Sequence, residues 1–262
     1  MKIAISGKGG VGKTTIAALL SQAFFEKGYK VLAVDADPNP NLAIVLGLPT
    51  EEAEKIVPIS ENAPLIEEKT GAKPQNYGGV FRISFRVDDI IQRYSIPTPR
   101  GPNLIVMGAV RSAGQGCMCP ANALVRSLLR YLFTRREEVV IVDLEAGTEH
   151  LGRGTAEHVD AMLIVSEPGA RSIETAKRIS RLAKDAGIPR IFLVGNRATH
   201  KESEAIRKLS ELLQLPLLGI VPNDRILQKL DIQGEQQDIH INSSPGYAAI
   251  REISDRLERE IC

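Results

Sequence analysis

A short apolar run, Lys2–Ser6, passes directly into Gly-Lys-Gly-Gly-Val-Gly-Lys-Thr-Thr, Gly7 to Thr15, and then into a helical pattern over Lys13–Lys27. Strand, glycine loop and helix in that order satisfy Gly-x-x-x-x-Gly-Lys-Thr in the context where the pattern signifies a phosphate cradle. Gly9, Gly10 and Gly12 let successive backbone N–H groups, those of Gly9 through Val11 to Thr15, wrap around phosphate oxygens. The helix that follows directs its positive end at the same anions. Lys13 is expected to reach the β- and γ-phosphates, and Thr14 to ligate Mg²⁺. Such a loop belongs at the carboxyl end of a parallel strand, so it commits the chain to an α/β sheet.

The rest of the sequence keeps that alternation. Strands are expected at Lys30–Asp35, Asn103–Met107, Val139–Asp143, Ala161–Ser166, Arg190–Val194 and Leu217–Val221. Several are continuously apolar, as parallel strands covered on both faces require. Helices are expected at Ala121–Phe133, Ser172–Ala186, Lys201–Leu213 and Tyr247–Glu260. In Ala121–Phe133 the apolar positions Leu124, Val125, Leu128, Leu129 and Leu132 fall on one helical stripe. The fold class is thus α/β, a single P-loop domain over residues 1–262 with a mostly parallel central sheet flanked by helices. The stretch Glu51 to Pro102 is the least regular part and is read as an elaborated crossover insert, with one helical piece at Val87–Tyr94.

Composition narrows the function. A net charge of +1 and the absence of a lysine or arginine run give no electrostatic case for nucleic acid. No segment offers the roughly 20 apolar residues that span a bilayer, and the apolar start enters a glycine loop without a cleavage site. A cytoplasmic location without membrane attachment is expected. Three cysteines do not make a disulfide framework.

Carboxylates stand where such sheets place their chemistry, at strand ends beside the loop. Asp35 and Asp37 end the second strand before Pro38 and Pro40 stop it. Asp143 ends Val-Val-Ile-Val-Asp-Leu-Glu-Ala-Gly and resembles a Walker B and switch segment, which implies that it holds the Mg²⁺ hydration shell. Glu145 and Gly147 follow it where a γ-phosphate could move the chain, the alternative being that Glu145 and Glu149 are solvated loop acids.

Lys8 makes the loop of the deviant kind, Lys-Gly-Gly-Val-Gly-Lys-Thr. The sequence resembles the dimeric ATPases that include the nitrogenase iron protein, the septum-placement ATPase and the arsenite-pump ATPase. That resemblance implies that Lys8 crosses a homodimer interface to the other subunit's nucleotide and neutralises charge during γ-phosphoryl transfer. It also assigns Asp37 to the attacking water and Asp35 to the neighbourhood of Mg²⁺. Asn196 is implied to hydrogen-bond adenine, with Pro222 and Asn223 of the Val221–Asp224 segment on the other side of the base. Neither segment carries the Asn-Lys-x-Asp pattern of guanine-specific proteins, so ATP is expected over GTP.

Cys117 and Cys119, in Gly-Gln-Gly-Cys-Met-Cys-Pro, are half of a metal site. Two thiols one residue apart can face one ion but supply only two ligands, where structural zinc normally takes four. A two-fold axis beside them would complete a four-sulfur set, and the dimer implied by Lys8 brings such an axis. Pro120 suits the first turn of a helix whose positive end faces these sulfurs. Cys262 is read as a free thiol. The Cys-x-Cys step, together with Val142-Asp-Leu-Glu-Ala-Gly-Thr-Glu-His-Leu-Gly, resembles the CooC-type nickel-insertion ATPases over essentially the whole chain. That resemblance implies a nucleotide- and metal-dependent homodimer holding Ni²⁺ or Zn²⁺ and serving a client, carbon monoxide dehydrogenase or acetyl-CoA synthase. Two rivals share the loop: an iron–sulfur, ATP-dependent reductase component, and a positioning ATPase of the MinD/ParA type acting on DNA or membrane.

Overall fold

The computed structural model of the protein describes residues 1–74, 80–108, 119–135, 138–145, 158–233 and 241–261. Eight strands form one sheet: β1 (Lys2–Gly7), β2 (Val31–Ala36), β3 (Ile96–Pro97), β4 (Asn103–Val106), β5 (Val139–Leu144), β6 (Ala161–Ser166), β7 (Ile191–Ala198) and β8 (Leu217–Pro222). Their order is β3-β4-β2-β5-β1-β6-β7-β8. All pairings are parallel except that of the two-residue β3 with β4. The strand that carries the glycine loop therefore sits at the centre, between β5 and β6.

Each strand sends alternate side chains to opposite faces. Ile3 and Ile5 of β1 join one apolar layer and Ala4 the other; in β5, Val139 and Ile141 take the first layer and Val140, Val142 and Leu144 the second. Both faces are apolar because both are covered. On the first lies α1 (Lys13–Glu26), followed in the chain by two single turns, α2 (Leu42–Val45) and α3 (Thr50–Ala53). Ile16 to Phe24 of α1 are buried almost without interruption, because this helix is held between the sheet and the last helix, α10 (Pro245–Ile261).

The second face is covered by α6 (Pro120–Arg135) and α7 (Ala170–Asp185). In α6, Leu124, Val125, Leu128, Leu129 and Leu132 are all fully buried, as their spacing requires. Toward the sheet's end lie α8 (Ser203–Leu213), which sends Ile206 and Leu209 into the same layer, and α9 (Arg225–Gln233).

The stretch 51–102 carries more regular structure than its sequence suggests. Beside the expected helix α5 (Asp88–Tyr94) there is a second, α4 (Ala63–Thr70), after a 3-10 turn at Ile59–Glu61. The Asn62 side chain accepts from the N–H of Leu65 and starts α4; Gly71, at φ 74°, ends it. Asn62 and Gly71 look like loop residues in a sequence because caps and turns use the same side chains. Lys69 Nζ lies 2.7 Å from Asp89 Oδ1, and Arg93 pairs with Glu68, tying α4 to α5. Ile59, Leu65, Ile66, Ile90 and Ile91 enter the apolar layer under α6.

Ile66 is therefore a core residue and not surface decoration. Ile66→Ala is expected to lower unfolding free energy by about 2–5 kcal/mol. A urea-denaturation difference below about 0.5 kcal/mol, the usual range for surface substitutions, would mean that α4 merely rests on the domain.

A candidate nucleotide site

The glycine loop opens at the end of β1 because nothing larger than glycine fits there. A Cβ on Gly7 would stand 2.4 Å from the carbonyl oxygen of Val165 on neighbouring β6. Gly10 and Gly12 take φ values of 82° and 84°, in the left-handed region that favours glycine. Gly9 and Gly10 form the exposed tip, and Val11 folds inward as a buried anchor. The N–H of Val11 donates to the carbonyl of Lys8 at 3.3 Å, and that of Ile16 to Gly12 at 3.0 Å, closing the turn into α1.

Lys13 is buried at the loop, its Nζ 3.5 Å from the carbonyl oxygen of Lys8. Lys8 Nζ lies 3.4 Å from the carbonyl of Gly9 at the exposed tip. Two lysines thus bracket one short loop. Thr15 is buried behind it, while Thr14 turns its hydroxyl to Asp143.

Parallel register brings the acids together: Asp35 of β2 stands opposite Asp143 of β5, which in turn stands opposite Ile5 of β1. Both carboxylates are fully buried. Asp143 Oδ2 accepts from Thr14 Oγ1 at 2.6 Å, whereas Oδ1 is buried with no hydrogen-bond partner. Burial, then the neighbouring charge of Asp35, pushes the Asp143 carboxyl up to about 7. Burial likewise pushes Asp35 up to about 6. Asp35 Oδ1 accepts from the N–H of Asp37 at 3.1 Å and Oδ2 from that of Leu42 at 2.9 Å, so this residue anchors the turn that follows β2. Asp37 is half-buried in that turn and accepts from the N–H of Asn39 at 2.9 Å.

A buried carboxylate oxygen without a hydrogen-bond donor is a position at which a cation would be favourable. Thr14 and Asp143, with Asp35 beside them, therefore fit Mg²⁺, the ordinary companion of a nucleotide's phosphates.

On the other side of the loop, β7 contributes Asn196 and Arg197. Asn196 is buried, and its Nδ2 donates to the carbonyl of Val11 at 2.7 Å. Its amide thus supports the loop in the cleft expected for the base. Thr15, Asn196, Arg197, Pro222, Asp224 and Gln228 line that cleft. Pro222 is half-buried; Asn223 is exposed, its Oδ1 accepting from Gln228 Nε2 at 2.6 Å. Arg197 was not legible beforehand. The expected strand stopped at Val194, while β7 runs to Ala198 through an irregular register against β8. The only sequence signal was its place beside Asn196.

Of the metal-site candidates, Cys119 is described and buried, at 8% exposure, immediately before α6. Its Sγ lies 3.5 Å from the N–H of Asn122, the position of a helix cap. Cys117 lies outside the described residues, as do Gly147 and Cys262. Among the described residues no cluster of three or more metal-ligating side chains occurs. Among them, too, no helix is long and apolar enough to cross a membrane.

A glycine cradle on the central strand, two lysines and a buried acid pair define a P-loop nucleotide-binding protein of the deviant class. The chain belongs to the CobQ/CobB/MinD/ParA nucleotide-binding domain family, whose model matches residues 2–237. It is 47% identical to an ATP-binding protein of Methanocaldococcus jannaschii, over 90% of each chain. It is 45% identical to the carbon monoxide dehydrogenase accessory protein CooC of Rhodospirillum rubrum, over 89% of this chain and 88% of that one. The fold matches that of the septum site-determining protein MinD of Pyrococcus horikoshii, solved with Mg-ADP. The TM-score is 0.68 at 21% identity, over 98% of this chain and 96% of that one.

The acid pair gives a pH signature. Both carboxyls titrate above their unfolded value, so between that value and about 7 the folded chain holds protons that the unfolded chain releases. Without nucleotide, stability is expected to fall as pH rises from about 4 to about 7 and then level off. If these carboxylates hold Mg²⁺ as anions, Mg-nucleotide affinity should rise across the same window with release of protons. Asp143→Asn should raise the melting temperature of the nucleotide-free protein at pH 8 and remove the Mg²⁺ dependence of ADP binding. Melting curves with and without Mg-ADP read both effects, and a flat pH response would contradict the assignment.

Proposed function

We propose that this protein is an ATP-hydrolysing metallochaperone. Two copies bind one Ni²⁺ or Zn²⁺ ion through Cys117 and Cys119 of both chains and deliver nickel to carbon monoxide dehydrogenase or acetyl-CoA synthase. The observation that carries this reading is Cys119 at the amino end of α6, in a chain 45% identical to a carbon monoxide dehydrogenase accessory protein. A sulfur at the amino end of a helix is a soft donor suited to a soft or borderline divalent ion. The whole chain acts as one ATPase domain, 1–262, in the cytoplasm.

In this reading the hydrolysis site is built as follows. The backbone N–H groups of Gly9 to Thr15 hold the phosphates, and Lys13 stands against the β- and γ-oxygens. Thr14 and Asp143, with Asp35 beside them, hold Mg²⁺, which supplies positive charge to the phosphate oxygens. Asp37 orients the attacking water, and the phosphoryl group passes from ADP to that water. Lys8, at the exposed tip, reaches the nucleotide of the second subunit and offsets charge in the transition state. Asn196, Pro222 and Asn223 hold the adenine. ATP thereby closes the dimer and gathers the sulfurs; hydrolysis loosens both.

The MinD-like solved structures, less than 25% identical, support the fold alone, and a curated MinD of Synechocystis is 27% identical, against 45% for the carbon monoxide dehydrogenase accessory protein. An iron–sulfur reductase of the nitrogenase type draws its four cysteines per dimer from two well-separated positions in each chain, whereas this chain, Cys262 apart, has one cysteine neighbourhood.

The linkage is quantitative: metal must tighten dimerisation by the same factor by which dimerisation tightens metal binding. Titration of wild type with Ni²⁺ should give one ion per two chains. Cys117→Ser with Cys119→Ser should abolish this binding while leaving ATP binding in place. One ion per chain, or full retention by the double variant, would sink the shared site. Lys8→Ala should bind ATP but lower turnover by about 100-fold or more, on the scale of losing one oriented charge from a transition state. Unchanged turnover would remove Lys8 from the chemistry.

A further inference from the structure

Among the described residues two non-glycine positions have positive φ: Gln214 and Arg197. Gln214 caps the carboxyl end of α8, where a left-handed residue is ordinary. Arg197 is different. Its φ of 51° lies within strand β7, at the register irregularity between Gly195 and Ala198. A bulge of this kind re-aims a side chain, and strain of this kind persists only where its surroundings hold it. Here the surroundings are the phosphate loop. Arg197 Nη1 donates to the carbonyl of Gly10 at 2.9 Å and lies 3.4 Å from Glu167 Oε1. Glu167 follows β6 and is itself fixed, its N–H donating to Ser172 Oγ of α7 at 3.0 Å.

Asn196 and Arg197 thus hold two successive loop carbonyls, those of Val11 and Gly10. A trans peptide points its C=O and N–H in opposite directions. Drawing the Val11 carbonyl outward to Asn196 therefore turns the N–H of Gly12 the other way. The fit leaves no slack: a Cβ on Gly12 would stand 2.4 Å from Asn196 Nδ2 and 3.9 Å from Arg197 Nη2.

We propose that Arg197 is a positioning residue for the phosphate loop: strained at the β7 bulge and braced by Glu167, it holds the Gly10 carbonyl and so presets the loop for the phosphates. The proposal rests on the nucleotide reading of the site, and it extends base-side support from Asn196 to a second side chain.

The test compares Arg197→Gly, Arg197→Ala and Arg197→Lys with wild type in the full chain, by calorimetric binding of Mg-ADP, ATPase kinetics and melting temperature. Glycine relieves the positive φ, so Arg197→Gly should melt no lower than wild type. Its Mg-ADP affinity should nonetheless fall about ten-fold, the scale of one charge-assisted hydrogen bond, with the loss appearing in KM more than in kcat. Arg197→Ala should lose as much affinity, and Arg197→Lys should recover part of it. A melting temperature that falls together with affinity would mark a merely structural role and overturn the proposal. Wild-type affinity in Arg197→Gly would overturn it as well, leaving the nucleotide reading intact. Failure of wild type itself to bind Mg-ADP would overturn both.

Discussion

Two carboxylates lie side by side in the centre of the sheet, Asp35 and Asp143, both fully buried. Burying like charges in adjacent strands is unfavourable, and burial raises both acids well above their ordinary range. The local structure is arranged around that cost. Asp35 is met by backbone N–H groups from the turn after β2, and Asp143 by the hydroxyl of Thr14. One oxygen of Asp143 is left without a donor. The phosphate loop and the two strand ends are thus joined, through the Thr14 hydroxyl and the Asp35–Asp143 register, into one polar unit.

The apolar layers on the two faces serve this unit differently. On the first face, α1, the helix that begins at the loop, is packed between the sheet and α10. On the second face, α6 is pinned by its leucine stripe and by the insert packed beneath it. That packing sets the position of Cys119, one residue before the helix. Charge at the loop and sulfur at the helix end thus hang from opposite faces of one rigid sheet.

Much of this was legible in the chain. Glycine spacing after an apolar strand, the leucine stripe of α6 and the strand-end acids have short-range signatures, and the structure sets Lys13, Thr14, Asp35 and Asp143 in one place. The insert was less legible because its helices are short. Asn62 and Gly71, the boundary residues of α4, are residue types that loops also use. Arg197 was illegible for another reason: its importance comes from a bulge, and no pattern in one strand reports its register against the next.

By itself the sequence determined the class of sheet, the presence of a phosphate cradle and the identity of its charged residues, because glycine, lysine and aspartate at those spacings admit few alternatives. Tertiary structure alone decided which acid holds the turn and which keeps an oxygen without a donor. It also decided that Asn196 and Arg197 brace the loop from a different strand, and that α4 and α5 send Leu65, Ile66, Ile90 and Ile91 into the core. Those outcomes depend on distances between segments far apart in the chain, and such distances are set by how the layers pack and not by what any segment prefers alone.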